Sequence, residues 1–239
     1  MSNAFYGVES LRFYDEAEIE LREMMTSRIS NTVKRTLTQV NPAWKFYRVE
    51  GPLLTPQNFV NNSYDEDDIF ITQIEKAGSK LVLRPETTVS SYMFARKKYA
   101  NNKLPLCVWQ VGKSFRVEKS DGATAAKLRF NEFYQLEFQC IYSVGTKADY
   151  RQYLMDAVSE QISMFLFGEK IRFIESDRLP SYSESTLDIE VPFRNEWKEI
   201  ASCSIRTDFS EDTRVCEIAI GLDRLIEIHN ERYGHNENS

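Results

Sequence analysis

The segment over 113–142, KSFRVEKSDGATAAKLRFNEFYQLEFQCIY, constrains the fold of this chain more than any other. It holds two strand-like runs separated by a polar, glycine-containing loop over 119–127. This pattern predicts two paired strands joined by a mobile basic loop. One residue separates Arg116 from Glu118 in the first run, so on a strand their side chains face the same way.

The charged and aromatic side chains of this segment suit nucleotide binding. We assign Arg116 to an α-phosphate, where its guanidinium would neutralise charge that develops at an in-line displacement. Phe133 would stack on the base, and Glu118 would accept a hydrogen bond from the amino group of the base. Arg129 and Lys127 would hold the outer phosphates. The alternative is a charged hairpin with ordinary cross-strand salt bridges.

Length, charge and hydropathy limit the class of protein. With 239 residues, of which 42% are apolar and 28% charged, the chain is expected to form a single soluble domain over 1–239. A net charge of −6 excludes a global positive field, so nucleic-acid binding would need a local basic face. No apolar run is long enough to span a bilayer and no signal peptide is evident. We therefore expect no membrane association and a cytoplasmic location.

The four cysteines lie in apolar or strand-like surroundings and have no C-x-x-C spacing. This usage predicts reduced, mostly buried thiols. A zinc site assembled from distant parts of the chain is the alternative. The residues are Cys107, Cys140, Cys203 and Cys216.

Hydrophobic periodicity predicts an α+β domain built around an antiparallel sheet. Thr146 is the expected N-cap of the third helix, and Gly168 lies just past its end. The acidic stretch over 61–68 is expected to be an exposed loop. Helices are predicted over 12–40, 86–100, 146–167 and 221–233, and strands over 44–54, 69–74, 80–84, 106–117, 128–142, 170–174, 185–191 and 198–204.

Three further segments place single charged residues where a ligand could use them. Glu86 follows a strand in LVLRPET, and its alternative role is to favour a helix N-terminus. Glu199 in WKEIASCS could coordinate Mg²⁺ together with phosphate oxygens. The alternative is that Glu199 is a surface acid. Arg224 falls in the first turn of the helix that Gly221 opens, where it would reach a terminal phosphate or remain a surface charge.

Taken in order, these segments resemble the catalytic core of the class II aminoacyl-tRNA synthetases, and most of all the glycyl enzymes. FRVE, the loop and RFNEF resemble motif 2 of the class, and GLDRL resembles the end of motif 3. The long first helix leading to FYRVEGP resembles motif 1, with Pro52 as its proline at the dimer interface. LRPET, EFYQLEFQ, LDIEV and WKEIASCSIRTDF are similar to further segments of glycyl enzymes. The resemblance covers about residues 12–230.

The resemblance implies an antiparallel β-sheet flanked by helices, ATP bound in a bent shape with Mg²⁺, and a homodimer formed through the motif 1 region. It assigns Arg116 to the α-phosphate and Phe133 to adenine stacking, with Arg224 on the opposite side. Glu199 would lie by the metal and the amino acid. Glu137, with Glu86 in the same wall, would lie near the substrate ammonium.

The resemblance also implies the reaction: ATP-dependent formation of an aminoacyl-adenylate, with glycine as the expected amino acid and tRNA as the acceptor. Departures from the glycyl pattern fall at the amino-acid end, where Ala219 stands at the position of a serine that contacts glycine. Ala201 replaces a second acid, and Val89-Ser90 replaces a Gln-Gly pair. An anticodon-binding domain is not expected within the chain. The alternatives are an activating ligase that loads a carrier protein or a small molecule, and a non-catalytic accessory subunit.

Overall fold

The computed structural model describes residues 12–60, 64–76, 78–100, 103–118, 124–176 and 182–233. Four helices and ten strands lie within these residues. The helices are α1 (Glu16–Val40), α2 (Thr88–Tyr99), α3 (Tyr150–Phe165) and α4 (Leu222–Tyr233). The strands are β1 (Lys45–Arg48), β2 (Leu54–Pro56), β3 (Ile71–Lys76), β4 (Ser79–Leu83), β5 (Leu106–Phe115), β6 (Glu132–Ser143), β7 (Arg172–Glu175), β8 (Ser183–Phe193), β9 (Glu196–Arg206) and β10 (Thr213–Gly221).

Seven of these strands form one sheet in the order β1-β5-β6-β10-β9-β8-β7. All neighbouring pairs in it are antiparallel except β1 with β5. A second sheet of three antiparallel strands has the order β2-β4-β3. The predicted α+β class, an antiparallel sheet flanked by helices, is confirmed.

The predicted pairing within 113–142 is confirmed as the β5–β6 ladder, which extends to Phe115 opposite Glu132. The first run ends two residues earlier than predicted because the chain then leaves the ladder. Beyond it, the Arg116 amide donates to the Asn131 carbonyl, and the Glu118 amide donates to the Asn131 side chain. The second run starts at Glu132 rather than at residue 128, since residues 125–127 form a short 3₁₀ helix. Residues 119–123 of the predicted loop lie outside the described residues.

The main core lies between one face of the large sheet and the helices α1, α3 and α4. Alternate residues of the central strands point into it, among them Phe138 on β6, Ile218 on β10 and Cys203 on β9. Met25 and Ile29 of α1 and Leu154 of α3 close the other side of this core, and all are fully buried. Because side chains alternate across a strand, the opposite face of the same strands is free of this core. Part of that face packs against α2 in a second core that includes Val108, Ile141 and Val215, and the rest carries polar residues.

Several predicted helix starts were wrong, because the N-cap residue determines where a helix begins. The first helix begins at Glu16 rather than Arg12, because the Asp15 side chain accepts from the Glu18 amide. The third begins at Tyr150, capped by Asp149. Thr146 is not its N-cap, since its hydroxyl donates to the Ser143 carbonyl within a turn. The Gly168 prediction is confirmed: with φ +84° it donates its amide to the Ser163 carbonyl just past the helix.

Other segments also differ from the prediction. The strand expected over 44–54 is two short strands in different sheets, interrupted at Gly51-Pro52. The second helix starts at Thr88, two residues after Glu86. β10 was not predicted as a strand, yet it lies at the centre of the large sheet between β6 and β9. In the acidic stretch, residues 65–68 are exposed as expected, Tyr64 is half-buried, and residues 61–63 lie outside the described residues.

The four cysteines are free and buried, which confirms the prediction of reduced thiols. They lie in two pairs with Sγ–Sγ distances of 3.6 Å, Cys107 with Cys140 and Cys203 with Cys216. Across the described part of the chain, no group of three or more His, Cys, Asp or Glu side chains is arranged to hold a metal, so the zinc alternative finds no support. None of the four helices in those residues is long and apolar enough to cross a membrane.

Candidate active site

The polar face of the large sheet forms the floor of a cavity of about 570 Å³. One row of residues in register crosses five neighbouring strands from β5 to β8: Gln110, Glu137, Ala219, Ser202 and Asp188. Four of the five line the cavity, and the fifth, Gln110, is buried beneath its edge. Every residue predicted for the site lines this cavity except Lys127: Glu86, Arg116, Glu118, Arg129, Phe133, Glu137, Glu199, Ala219 and Arg224.

Arg116 stands at one end of the cavity between two aromatic rings. Its guanidinium carbon lies 5.2 Å from the ring centre of Phe133 and 5.5 Å from that of Tyr64. Nε donates to the Pro85 carbonyl at 3.1 Å. Neither Nη atom makes a hydrogen bond to a described residue, and the side chain lines the cavity. A guanidinium that is held at Nε and has both Nη atoms unpaired (a free fork) is suited to bind a phosphate.

Arg224 lines the same cavity from the start of α4. Nε donates to the Leu128 carbonyl at 3.0 Å, and Nη1 donates to the Glu199 carbonyl at 2.9 Å. The Glu199 carboxylate lies 3.6 Å from Nη1 and is half exposed to the cavity. These bonds join α4, β9 and the residues before β6, so the position of Arg224 is set by three separate parts of the chain.

Glu118 and Arg129 form an ion pair of 3.2 Å at the rim of the cavity. The cross-strand salt bridge considered as the alternative reading therefore exists for this pair, and it leaves both side chains lining the cavity. Lys127 lies on the exposed 3₁₀ turn just before them and is not part of the lining. The described residues thus bring Arg129, but not Lys127, to the place expected for outer phosphates.

Glu137 lies at the opposite, acidic end and is almost fully buried. Thr87 donates its hydroxyl to one carboxylate oxygen, and Thr88 donates its hydroxyl to the other. Gln139 also donates to the Glu137 carboxylate, at 2.8 Å. Three donors from two elements thus fix this carboxylate, and none of them carries a positive charge.

Glu217 and Arg206 complete the acidic end, and neither was predicted. The Glu217 Oε2 atom accepts from Arg206 Nη1 and from Gln139 Nε2, both at 2.7 Å. Arg206 is buried and also binds Asp208 through Nε and Nη2. Oε1 of Glu217 makes no hydrogen bond to a described residue, while the side chain lines the cavity. That oxygen is therefore available to a cationic ligand.

Glu86 belongs to the same wall and lies one residue before the N-cap of α2. It precedes α2, whose N-cap residue is Thr87, and its carboxylate accepts from the Tyr64 hydroxyl at 2.8 Å. Tyr64 therefore contacts both Glu86 and Arg116, which links the acidic end of the cavity to the arginine end.

Burial dominates the electrostatics of these acids. Loss of hydration, reinforced by the charge of Glu217, raises the pKa of Glu137 to about 8, despite the hydrogen bonds from Thr87 and Thr88. Burial and the same neighbouring charge also raise the pKa of Glu86. Burial thus disfavours the ionised forms of Glu137 and Glu86. A bound cation would lower the free-energy cost of ionising them.

The charge balance of the cavity favours cations and metal-bound phosphates. Nine carboxylates and three arginines line it within the described residues. A bare triphosphate would be repelled by this excess, and a triphosphate accompanied by Mg²⁺ would be repelled less, because the metal ion cancels part of its negative charge. Glu199 is a suitable single protein ligand, because Mg²⁺ accepts one carboxylate with phosphate oxygens and water.

Part of the missed site was readable from strand periodicity. On a strand, Glu217 shares a face with Ala219, and Arg206 shares a face with Ser202 and Ser204. Recognising β10 as a strand would have placed Glu217 beside the predicted Ala219. Gln139 likewise shares a face of the predicted strand with Glu137. Thr87 and Thr88 carried no comparable signal.

Comparison with known proteins assigns the chain to a family. A family model described as the tRNA synthetase class II core domain (G, H, P, S and T) matches residues 70–228, more than half of the chain. The chain belongs to the class II aminoacyl-tRNA synthetase core family. The resemblance noted in motifs 2 and 3 is thereby confirmed.

Curated relatives of this core domain are glycine–tRNA ligases. The protein from Macrococcus caseolyticus is 31% identical over 140 residues, which are 56% of this chain and 30% of that protein. The one from Mycobacterium bovis is 31% identical over 172 residues, 69% of this chain and 37% of that protein. The chain spans about a third of the length of these relatives.

Solved structures show the same fold. A prolyl-tRNA synthetase from Cryptosporidium parvum superposes with a TM-score of 0.66 at 14% identity, covering 94% of this chain and 50% of that one. A serine–tRNA ligase from Naegleria fowleri superposes with a TM-score of 0.67 at 15% identity, covering 98% of this chain and 53% of that one. At these low sequence identities, the structural similarity is evidence for the fold only.

Proposed function

We propose that this class II core domain binds ATP and a small amino acid, glycine first, joins them as an aminoacyl-adenylate, and passes the acyl group to tRNA. The observation that carries the proposal is one continuous cavity with an arginine end and a buried acidic end. ATP and an amino acid are the two ligands that need these two environments side by side. The glycine–tRNA ligase relatives support the choice of glycine.

At the arginine end, the adenine ring would lie between Phe133 and Arg224, and the α-phosphate would receive the free fork of Arg116. Arg129 would contact the outer phosphates from the rim. The prolyl-tRNA synthetase of similar fold was solved with AMPPNP and the serine–tRNA ligase with AMP, which supports nucleotide binding by a domain of this fold.

At the acidic end, the ammonium of the amino acid would sit against Glu137 and the free oxygen of Glu217. Ala219 lies directly across from Glu137 in the sheet, and Ser202 lies directly across from Ala219 on the next strand. Buried carboxylates discriminate strongly for a charged ammonium, because a ligand without it would leave them unpaired. A substrate with no side chain offers the protein little beyond its ammonium and carboxylate, so these acids would supply most of its affinity.

The chemistry needs no protein nucleophile. A carboxylate oxygen of the amino acid attacks the α-phosphorus, the bond from that phosphorus to the bridging oxygen breaks, and pyrophosphate leaves with the electron pair. Arg116 neutralises charge on the α-phosphate as the new bond forms, and positioning by the two ends of the cavity aligns the attack. Bound Mg²⁺, held by Glu199 together with phosphate oxygens, would supply further charge neutralisation.

We also propose a homodimer formed through the motif 1 region. Leu53 and Leu54 follow Pro52 directly and are 46% and 40% exposed, and Phe59 and Met93 are more than half exposed. Exposed apolar side chains in this region would be covered by such an interface. Sedimentation equilibrium of the wild type and of Leu53→Asp tests this. A wild-type monomer at micromolar concentration would rule the dimer out.

Amino-acid-dependent ATP–pyrophosphate exchange tests the proposed function. We expect exchange with glycine, weaker exchange with alanine and serine, and none with large amino acids; Arg116→Ala is the inactive control. Exchange without tRNA charging would favour a carrier protein or another acceptor, consistent with the net charge of −6. Absence of exchange with all twenty amino acids would exclude the proposal and leave the non-catalytic subunit.

A further inference from the structure

Gln139 lies directly beneath the acidic end of the cavity and is fully buried. It faces Glu217 across the β6–β10 ladder and lies two residues from Glu137 on the same face of β6. It is not part of the cavity lining and so would not touch a bound ligand.

The side-chain amide of Gln139 bridges the two acids. Nε2 donates to Glu137 Oε1 at 2.8 Å and to Glu217 Oε2 at 2.7 Å. An amide nitrogen carries two hydrogens, so it can serve both carboxylates at once. Thr88 also lies between them, but its hydroxyl has one hydrogen, which the contact with Glu137 uses.

We propose that Gln139 is a positioning residue, whose bridging amide fixes the Glu137 and Glu217 carboxylates as one receptor for the substrate ammonium. The inference rests on the proposed function of this site. The bridge leaves one oxygen of Glu217 facing the cavity and holds Glu137 beside it, so that both act on the same cation.

The other charged groups around the pair do not replace this bridge. Arg206 on β9 contacts Glu217 and Asp208. Glu86, before α2, adds a third negative charge to the same wall. Two neighbouring carboxylates in a buried site repel each other, and without a shared donor they would separate or bind a proton more tightly.

The side-chain carbonyl oxygen of Gln139 takes no part in the bridge, which is made by the side-chain nitrogen alone. Oε1 is buried and has no hydrogen-bond partner among the described residues, which costs stability. The opposite orientation of the amide would point this oxygen at two carboxylates. The two acids therefore determine the orientation, and the unpaired oxygen is its consequence.

The test is Gln139→Met, which preserves length and approximate volume and removes both donors. We expect the KM for glycine in ATP–pyrophosphate exchange to rise about tenfold or more, with the KM for ATP within about twofold of wild type. Gln161→Met is the matched control, because Gln161 is a buried glutamine on α3, where its amide contacts Met164 away from the cavity. In combination with Glu217→Gln, the loss should be clearly less than the product of the two single effects.

A second readout needs no activity. In the ligand-free protein with ¹³C-labelled glutamate, the highest-titrating carboxyl should shift its midpoint upward by about one pH unit in Gln139→Met, because a donor to the charged form is lost. If Gln139→Met does not fold, Gln139→Asn, which withdraws the amide, is measured in the same way. An unchanged midpoint together with an unchanged glycine KM overturns the inference while leaving the proposed function standing. Absence of exchange in the wild type overturns the proposed function, and the titration then still decides whether Gln139 holds the pair.

Discussion

The affinity for glycine should increase with pH, because Glu137 has to lose a proton before it can receive an ammonium. Burial and the neighbouring Glu217 place the pKa of Glu137 at about 8 in the empty site. At neutral pH this carboxyl is mostly protonated and cannot pair with a cation. Glycine therefore competes with a proton for the same group.

The size of the effect follows from that pKa. Each pH unit below it lowers the ionised fraction, and hence the apparent affinity, by about tenfold. We expect the KM for glycine to fall about tenfold between pH 6 and pH 7, to fall less up to pH 8, and then to level off. The KM for ATP should change little, since Glu137 does not contact the nucleotide in the proposed arrangement.

The assay is pyrophosphate exchange from pH 6 to 8.5 at saturating ATP, paired with calorimetry of glycine binding in buffers of different ionisation enthalpy. At pH 7 the calorimetry should detect release of about one proton per glycine bound. Glu137→Gln should abolish that proton release and leave a weak, pH-independent KM. A wild-type glycine KM that is flat from pH 6 to 8 would refute the reasoning.

The pH dependence of protein stability gives an independent check of the raised pKa of Glu137, and the direction of the change is defined. The pKa of Glu137 is higher in the folded protein than its ordinary value of 4.5, so the folded state binds more protons than the unfolded state between the two. The free energy of unfolding contributed by this group is therefore lost as pH rises towards 8. We expect the melting temperature of Glu137→Gln to fall less than that of the wild type over this range, as measured by circular dichroism.

Three further predictions concern single side chains. Arg116→Ala should lower kcat in exchange by about 100-fold or more while leaving the circular dichroism spectrum unchanged, because the free fork of the guanidinium is lost; exchange at the wild-type rate would contradict the phosphate assignment. Phe133→Ala should raise the KM for ATP about tenfold with little change in that for glycine, as initial rates would show, and an unchanged ATP KM would argue against base stacking. Phe138→Ala, which empties a fully buried position stacked on Trp109, should cost about 3–5 kcal/mol in urea unfolding, whereas the half-exposed Phe173→Ala should cost little; equal costs would contradict the core described for β6.

Local patterns were enough to predict much of the secondary structure. The β5–β6 pair follows from two apolar runs and the polar loop between them, and the long first helix follows from apolar residues spaced three to five apart. These features depend on neighbours in sequence, where side-chain alternation and helical periodicity apply directly. Helix starts were less predictable, because Asp15 and Asp149 are recognisable as caps only once the adjoining backbone is seen to turn.

The motifs also predicted which residues would meet in one cavity, at the end proposed for the nucleotide. Arg116, Phe133, Glu199 and Arg224 come from three separate stretches of the chain, and their convergence was inferred from resemblance to the family rather than from spacing. The structure brings them to one cavity and leaves Lys127 outside its lining.

The sequence by itself determined the class of fold, the hairpin and the side chains for a phosphate. Only the tertiary structure decided the acidic end, where β6, β10, β9 and the start of α2 contribute one or two residues each. Gln139 and Glu217 are 78 residues apart, and they meet because the register of two antiparallel strands places them face to face. Strand register is set by the packing of the whole sheet, which no local pattern contains. Burial then shifts the pKa of Glu137, and burial is likewise a property of the assembled fold.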